Sequence, residues 1–340
     1  MFRDIEYENL EGDYVLIDVR SEGEYKEYTI PGAINIPIFN NEERKEIGTV
    51  YVRESVDKAK AMGVEAASKK LPYIYEKIYD LQKKYKKVVL FCARGGLRST
   101  VLTTFLTSLG VKVYKLRGGY KGYRAYINRE LPVLNEKVEY VILQGNTGMG
   151  KTKILKELKE RGYNILDLEG CANHRGSLLG SVGIGKCNSQ KAFESLVYEQ
   201  LKERNGNLVF VEGESKRIGN IIIPNYIYNK MRESKRILVK GDLDYRAKNI
   251  IEEYTKEENW KEEVVQSLNN LRKYISEENI ARYLEMVEKG EIVDLTKELM
   301  VKYYDPMYKN GEKKYKYLLV TEISSIKTAC DIIEKWVAKL

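Results

Sequence analysis

The chain has 340 residues, 43% hydrophobic and 32% charged, with 58 Lys and Arg against 50 Asp and Glu for a net charge of +8. This balance excludes an intrinsically disordered chain, and the length fits about two domains of ~150 residues each. The charge permits a polyanionic partner without demanding one. No apolar run approaches the ~20 residues of a membrane span, and the acidic opening MFRDIEYENLEGDYVLIDVR lacks a signal-peptide core, so a cytoplasmic protein with no membrane association is expected.

In chain order, YVLIDVR (14–20), AINIP (33–37), KVVLFC (87–92) and VKVYKL (111–116) read as strands. LPYIYEKIYDLQKKY and STVLTTFLTSLG have helical periodicity between them. Strands alternating with helices predict a parallel sheet with both faces covered. Cys92 sits at the end of the third strand and enters the loop CARGGLRS, which opens into a helix. Loop amides, the positive end of the helix dipole, Arg94 and Arg98 would all favour a thiolate there, predicting a nucleophilic, partly exposed Cys92. Chalcogen transfer and C-x5-R phosphate-ester cleavage both use this design, and the loop alone does not separate them.

Residues 126–137, YINRELPVLNEK, interrupt the periodicity with a proline and polar residues. The expected organisation is a first domain over 1–128, a linker over 129–137 and a second domain over 138–340. A second α/β series runs through the candidate strands VEYVILQG, YNILDLE, NLVFVEGE, RILVKGD and KYLLVTE. Residues 245–312 are helical and charged, and are expected to form a subdomain: a solvated face, a lid or an RNA platform. Cys171, Cys187 and Cys330 show no paired spacing, and with one histidine no structural zinc site is expected. Cys330 reads as a small core residue.

GNTGMGKT fits G-x-x-x-x-G-K-[ST], after the strand YVILQ and before the helix KTKILKELKERG. Gly145, Asn146, Thr147, Gly148, Met149 and Gly150 would cradle phosphate oxygens, Lys151 would add a cation and Thr152 could ligate Mg²⁺. Glu212, Glu214, Asp167 and Glu169, read as strand-end acids, are candidates to hold the metal, with Glu212 favoured. The loop EGCANHRGSLLG concentrates His174, Arg175 and Ser177 among glycines, and Arg175 has the planar fork that suits phosphate oxygens. From Lys112 to Arg129, six cations and four tyrosines occur without an acid. Lys115, Arg117, Lys121 and Arg124 are therefore RNA-binding candidates, while the tyrosines read more simply as core.

LIDVRSEGEYKEYTIPGAINIP, the cysteine loop and LRGGYKGYRAYI resemble, in order, the signatures of rhodanese domains over roughly residues 4–130. Thr29 stands where many rhodaneses have histidine. Joined to a P-loop domain with DLEGCANHRGSLLG, VEGESKRIGNIIIP (adding Arg217) and YYDPMY, the chain resembles the tRNA 2-selenouridine synthase family. The implied fold is α/β: a rhodanese-like parallel-sheet domain followed by a P-loop NTPase-like α/β domain with a helical insertion. The resemblance implies replacement of sulfur by selenium in wobble 2-thiouridine of tRNA. Geranyl diphosphate first alkylates the sulfur, selenophosphate supplies selenium, and Cys92 carries selenium covalently. Mg²⁺ and an enzyme supplying selenophosphate are implied partners, and no tightly bound prosthetic group is expected. Family members usually have an acidic pair where this chain reads Glu212-Gly213, and an aromatic at Ala93. Two alternatives stay open: a thiol phosphatase fused to a small-molecule P-loop kinase, and a nucleotide-regulated persulfide carrier.

Overall fold

The computed structural model describes residues 3–177, 180, 182–306, 315–323 and 325–339. The last two residues of YYDPMY, Met307 and Tyr308, lie outside them. The chain divides into two compact units, residues 1–131 with 194–196, and residues 132–193 with 197–340.

The first unit is built on β1 (Arg3–Ile5), β2 (Tyr14–Asp18), β3 (Ile34–Asn35), β4 (Lys87–Phe91) and β5 (Val113–Leu116). They form one parallel sheet in the order β1-β5-β4-β2-β3, with Asp18 opposite Phe91. Both faces are covered, which is why β2 and β4 are continuous apolar runs with no alternation. Helix Leu71–Lys84 carries Pro72 in its first turn, where a missing N–H costs nothing, and buries Ile74 and Ile78 four residues apart against the sheet. Two helices, Asn41–Arg53 and Val56–Ser68, occupy a segment where the sequence reading names no element. Each buries one residue, Val50 and Ala59, so their apolar periodicity is faint.

The expected connection over 129–137 is not irregular: it is largely the end of helix Gly119–Glu136, with Pro132 inside it. Proline removes one hydrogen bond without ending this helix. The second unit holds β6 (Glu139–Gln144), β7 (Ile165–Leu166), β8 (Leu208–Glu212), the small hairpin β9 (Arg217–Ile218) and β10 (Ile221–Ile222), β11 (Lys235–Lys240) and β12 (Leu319–Glu322). Its parallel sheet runs β12-β11-β6-β8-β7, so the connections diverge on either side of β6, the position at which such sheets open a crevice at their carboxyl ends. Cys330, fully buried, belongs to the core around β6. Helices Leu243–Tyr254, Trp260–Asn270, Glu277–Lys289 and Ile292–Leu299 enclose their own core of Leu268, Ile280, Tyr283 and Leu295. The charged stretch is thus a packed subdomain with its own apolar core.

Candidate functional site

Cys92 is the first residue beyond β4, and the chain turns through Gly95 (φ +64°) into helix Leu97–Ser108. The closing segment folds back over this turn. Tyr120 N–H donates to the Cys92 carbonyl and Lys121 N–H to that of Ala93, both at 2.9 Å. A Cβ on Gly119 would stand 2.2 Å from the Cys92 carbonyl oxygen, so only glycine permits that approach. The expectation of a partly exposed cysteine is corrected accordingly: Cys92 is 3% exposed.

Burial is the largest single influence on the thiol and disfavours its ionisation. The net direction is nevertheless downward, because the Ser99 hydroxyl (3.2 Å from Sγ), the amides of Ser99 and Arg94, and the charge of Arg98 together outweigh it. Arg94 acts through its amide, with its side chain exposed. Arg98 donates to both oxygens of Glu24, at 2.7 and 3.3 Å. A C-x5-R phosphatase needs those donors for the phosphoryl group, so their commitment to Glu24 favours the chalcogen reading. The sequence reading missed the Asp18–Arg20 pair. Arg20, 1% exposed, makes bonds of 3.1 and 2.7 Å to one Asp18 oxygen, bonds the Tyr28 carbonyl, and lies over the Tyr28 and Tyr120 rings. Thr29 donates to Asp18 at 2.8 Å, so the residue in the histidine's place fastens this buried pair.

Three of the four RNA-binding candidates have acidic partners. Lys115 pairs with Asp4, Arg117 with Glu6 and Arg124 with Glu194, leaving Lys121 exposed. The segment contains no acid, but β1 pairs with β5 and brings Asp4 and Glu6 alongside it. Tyr120 and Tyr123 are core, as expected.

In the second unit the phosphate loop runs from Gly145 to Gly150 between β6 and helix Lys151–Glu160. Gly148 and Gly150 have φ of +82° and +72°, and a Cβ on Gly145 would meet the Val239 carbonyl at 2.6 Å. Lys151 Nζ donates to the Gly145 carbonyl at 3.0 Å. The first-turn N–H groups of such a helix lack intrahelical acceptors and suit an anion.

Glu212 ends β8 beside β6, Glu214 follows it, and Glu169 lies on the short helix Leu168–Ala172, not at a strand end as expected. One oxygen of each falls within 4.8 Å of the others, and Thr152 Oγ1 donates to Glu169 at 3.3 Å. Glu212 is fully buried, and neither of its oxygens has a hydrogen bond of normal geometry among the described residues. Burial first, and then the neighbouring carboxylates, push Glu169 and Glu214 up to about 8 against the pull of Lys151, and raise Glu212 as well. Such a trio calls for a proton or a cation, and its hard oxygens fit Mg²⁺. Asp167 is not one of the three, although its charge adds to the upward push on Glu169 and Glu212; it caps the helix, accepting from Gly170 N at 2.7 Å. A Cβ at Gly213 would stand 2.3 Å from Gln144 Oε1, which itself accepts from Arg236.

The loop after Glu169 closes over these acids. A Cβ on Gly176 would lie 2.6 Å from Glu214 Oε2 and 3.0 Å from Glu169 Oε1. His174 Nδ1 accepts from Gly176 N at 3.2 Å, and its ring packs where Gly180 and Gly219 lack side chains. Burial and then the Arg175 charge lower its pKa, favouring the neutral ring. The Arg175 guanidinium, the expected phosphate clamp, instead donates to the Val182 and Glu253 carbonyls and stacks on Tyr254, whose hydroxyl meets Ser177 Oγ at 2.9 Å. Arg217 is exposed on β9. Arg246 and Asn249, within the segment read as a solvated face or lid, reach the phosphate loop and had no local sequence signal.

Residues 138–338 match the family model of the tRNA 2-selenouridine synthase AAA domain, and residues 6–126 that of the rhodanese-like domain. The tRNA 2-selenouridine synthase of Nitrosomonas europaea is 33% identical over 247 residues, covering 71% of this chain and 64% of that protein. The matched part thus spans just under two thirds of that relative. Proteins of the same name from Hydrogenovibrio crunogenus and Pseudomonas syringae pv. syringae are each 30% identical, over 86% and 87% of this chain and 88% of their own lengths. Among the described residues no helix is long and apolar enough to cross a membrane.

Proposed function

We propose, from the premise that the chain belongs to the tRNA 2-selenouridine synthase family, that it replaces sulfur by selenium in the wobble 2-thiouridine of tRNA in two stages. In the first, the thiocarbonyl sulfur attacks C1 of geranyl diphosphate. A carbon–sulfur bond forms, the carbon–oxygen bond breaks and pyrophosphate leaves. In the second, selenium originating in selenophosphate bonds to C2 of the base and geranylthiol departs. Loop 145–150 and Lys151 receive the diphosphate, where fixed amides and a cation stabilise the charge of the leaving group. Thr152, Glu169, Glu212 and Glu214 would hold Mg²⁺, which supplies further countercharge to pyrophosphate when bound. Cys92 serves the selenation stage. Holding selenium there as a selenylsulfide takes a two-electron oxidant for the selenide-level selenium of selenophosphate, and a thiol reductant then cleaves the sulfur–selenium bond once selenium is on C2. A selenophosphate-producing enzyme in the same compartment, the cytoplasm, supplies the donor.

The observation that carries this reading is the pairing, in one chain, of a thiol loop that lowers the pKa of its cysteine with a phosphate loop backed by three carboxyls whose oxygens lie within 4.8 Å of one another. The test is incubation with 2-thiouridine tRNA, geranyl diphosphate and selenophosphate, followed by mass spectrometry of the nucleosides. Cys92→Ser is expected to abolish selenation and spare geranylation, and Lys151→Ala to impair geranylation. The opposite pattern overturns the assignment.

A further inference from the structure

A phosphate loop works only if its peptide planes are turned so that successive N–H groups face the anion. In a trans peptide the C=O of one residue and the N–H of the next point in opposite directions. Fixing a carbonyl from outside the loop therefore aims the following amide inward. Two consecutive carbonyls are held in this way here, by side chains one turn apart on helix Leu243–Tyr254. Arg246 Nε donates to the Thr147 carbonyl at 2.9 Å, and Asn249 Nδ2 to the Gly148 carbonyl at 3.1 Å. The first of these turns the Gly148 amide into the loop; the amide after the second, Met149 N–H, is donated across the loop to the Asn146 carbonyl at 3.3 Å and braces its shape. The helix approaches so closely that a Cβ on Gly148 would stand 2.6 Å from the Arg246 carbonyl oxygen.

Both donors are themselves held. Arg246, 4% exposed, bonds the two oxygens of Asp305 at 3.0 and 2.5 Å, and Asp305 also accepts from the Asn146 side chain at 3.1 Å. The Asn249 oxygen accepts from Lys153 Nζ at 2.9 Å, which fixes its amide with the nitrogen toward the loop. Asp305 follows the last helices of the insertion in sequence and Arg246 stands near its start, so the subdomain grips the loop from both of its ends.

We propose that Arg246 and Asn249 are positioning residues that preset the phosphate loop for a diphosphate, with Asp305 orienting Arg246 and Asn146. The helical insertion is then the frame of the anion site. This rests on reading residues 145–152 as the diphosphate cradle, and inorganic pyrophosphate with Mg²⁺ is the probe because it needs neither tRNA nor the geranyl group.

Calorimetric titration of the full chain should show Arg246→Ala weakening pyrophosphate by about tenfold or more, as a lost charge-assisted hydrogen bond implies. Arg246→Lys, which keeps one donor, should recover part of it. Asn249→Leu, of similar volume without a donor, should weaken binding in the same direction and serves if Arg246→Ala does not fold. The rate of Cys92 alkylation should be unchanged in all three, which a general loss of structure would not allow. Wild-type affinity in Arg246→Ala or Asn249→Leu overturns the inference, as does failure of the parent protein to bind pyrophosphate. A parent that binds pyrophosphate and loses it in the variants, yet geranylates no tRNA, upholds the inference and sinks the proposed reaction instead.

Discussion

Replacing Ser99 by alanine removes a side-chain hydroxyl that meets the Cys92 sulfur at 3.2 Å, in a position where Ser99 is fully buried. The amides of Ser99 and Arg94 and the charge of Arg98 remain. A hydrogen bond of this kind contributes about 1 kcal/mol net, which is roughly a fivefold change in the ratio of thiolate to thiol. The sign follows from which form accepts the bond: the thiolate loses stabilisation, so the titration moves to higher pH. Below its midpoint, alkylation of Cys92 by iodoacetamide should slow about fivefold in Ser99→Ala, while the two proteins converge in alkaline solution. Following the Cys92 peptide by mass spectrometry separates it from the half-exposed Cys187; Cys171 and Cys330 are held as thiols by burial. An unchanged midpoint, or one displaced downward, would refute the claim that Ser99 supports the anion.

Glu24→Gln keeps the cap of helix Glu22–Glu27 in shape but leaves the charge of Arg98 less neutralised, so alkylation of Cys92 should titrate at lower pH than in the parent protein. For the acid trio, carboxyls raised to about 8 in the folded protein bind more protons than the unfolded chain between its ordinary carboxylate range and pH 8, so metal-free stability should fall as pH rises through that window. Thermal melts at pH 6 and pH 8.5 with and without Mg²⁺ measure this. Magnesium should restore the loss at pH 8.5, and Glu212→Gln should stabilise the metal-free protein there and blunt the response to Mg²⁺.

What was legible in the sequence is what chemistry writes locally. The phosphate loop is legible between its strand and its helix because the left-handed backbone at 148 and 150 favours glycine, and the spacing of the glycines shows it. Cys92 ends a strand because its run is apolar and then abruptly is not. Hidden was whatever depends on distant partners. Asp4 and Glu6 neutralise cations more than a hundred residues away because β1, three residues long, pairs with β5. Arg175 read as a phosphate clamp because its planar fork suits phosphate oxygens, but its donors end on the carbonyls of Val182 and Glu253. Arg246 looked like one cation among many in a charged stretch, and only the fold shows that it is buried against Thr147.

The thiol and the acid trio solve opposite electrostatic problems, and the number of donors facing each group decides the outcome. Cys92 is as desolvated as a core residue, yet hydrogen bonds from the Ser99 hydroxyl and two amides, with Arg98 nearby, bring its pKa below that of an ordinary thiol. Glu212 is equally desolvated, has no hydrogen bond of normal geometry among the described residues, and lies against two more carboxyls with Lys151 as the opposing cation. A site of the first kind is complete as folded, because its charge is already matched by fixed dipoles. One of the second kind is completed by what it binds, since only a cation or protons can relieve the repulsion. Fixed dipoles in the rhodanese-like unit thus favour the thiolate in advance, whereas the crowded carboxyls of the P-loop unit are relieved only by what they take up, protons or a cation.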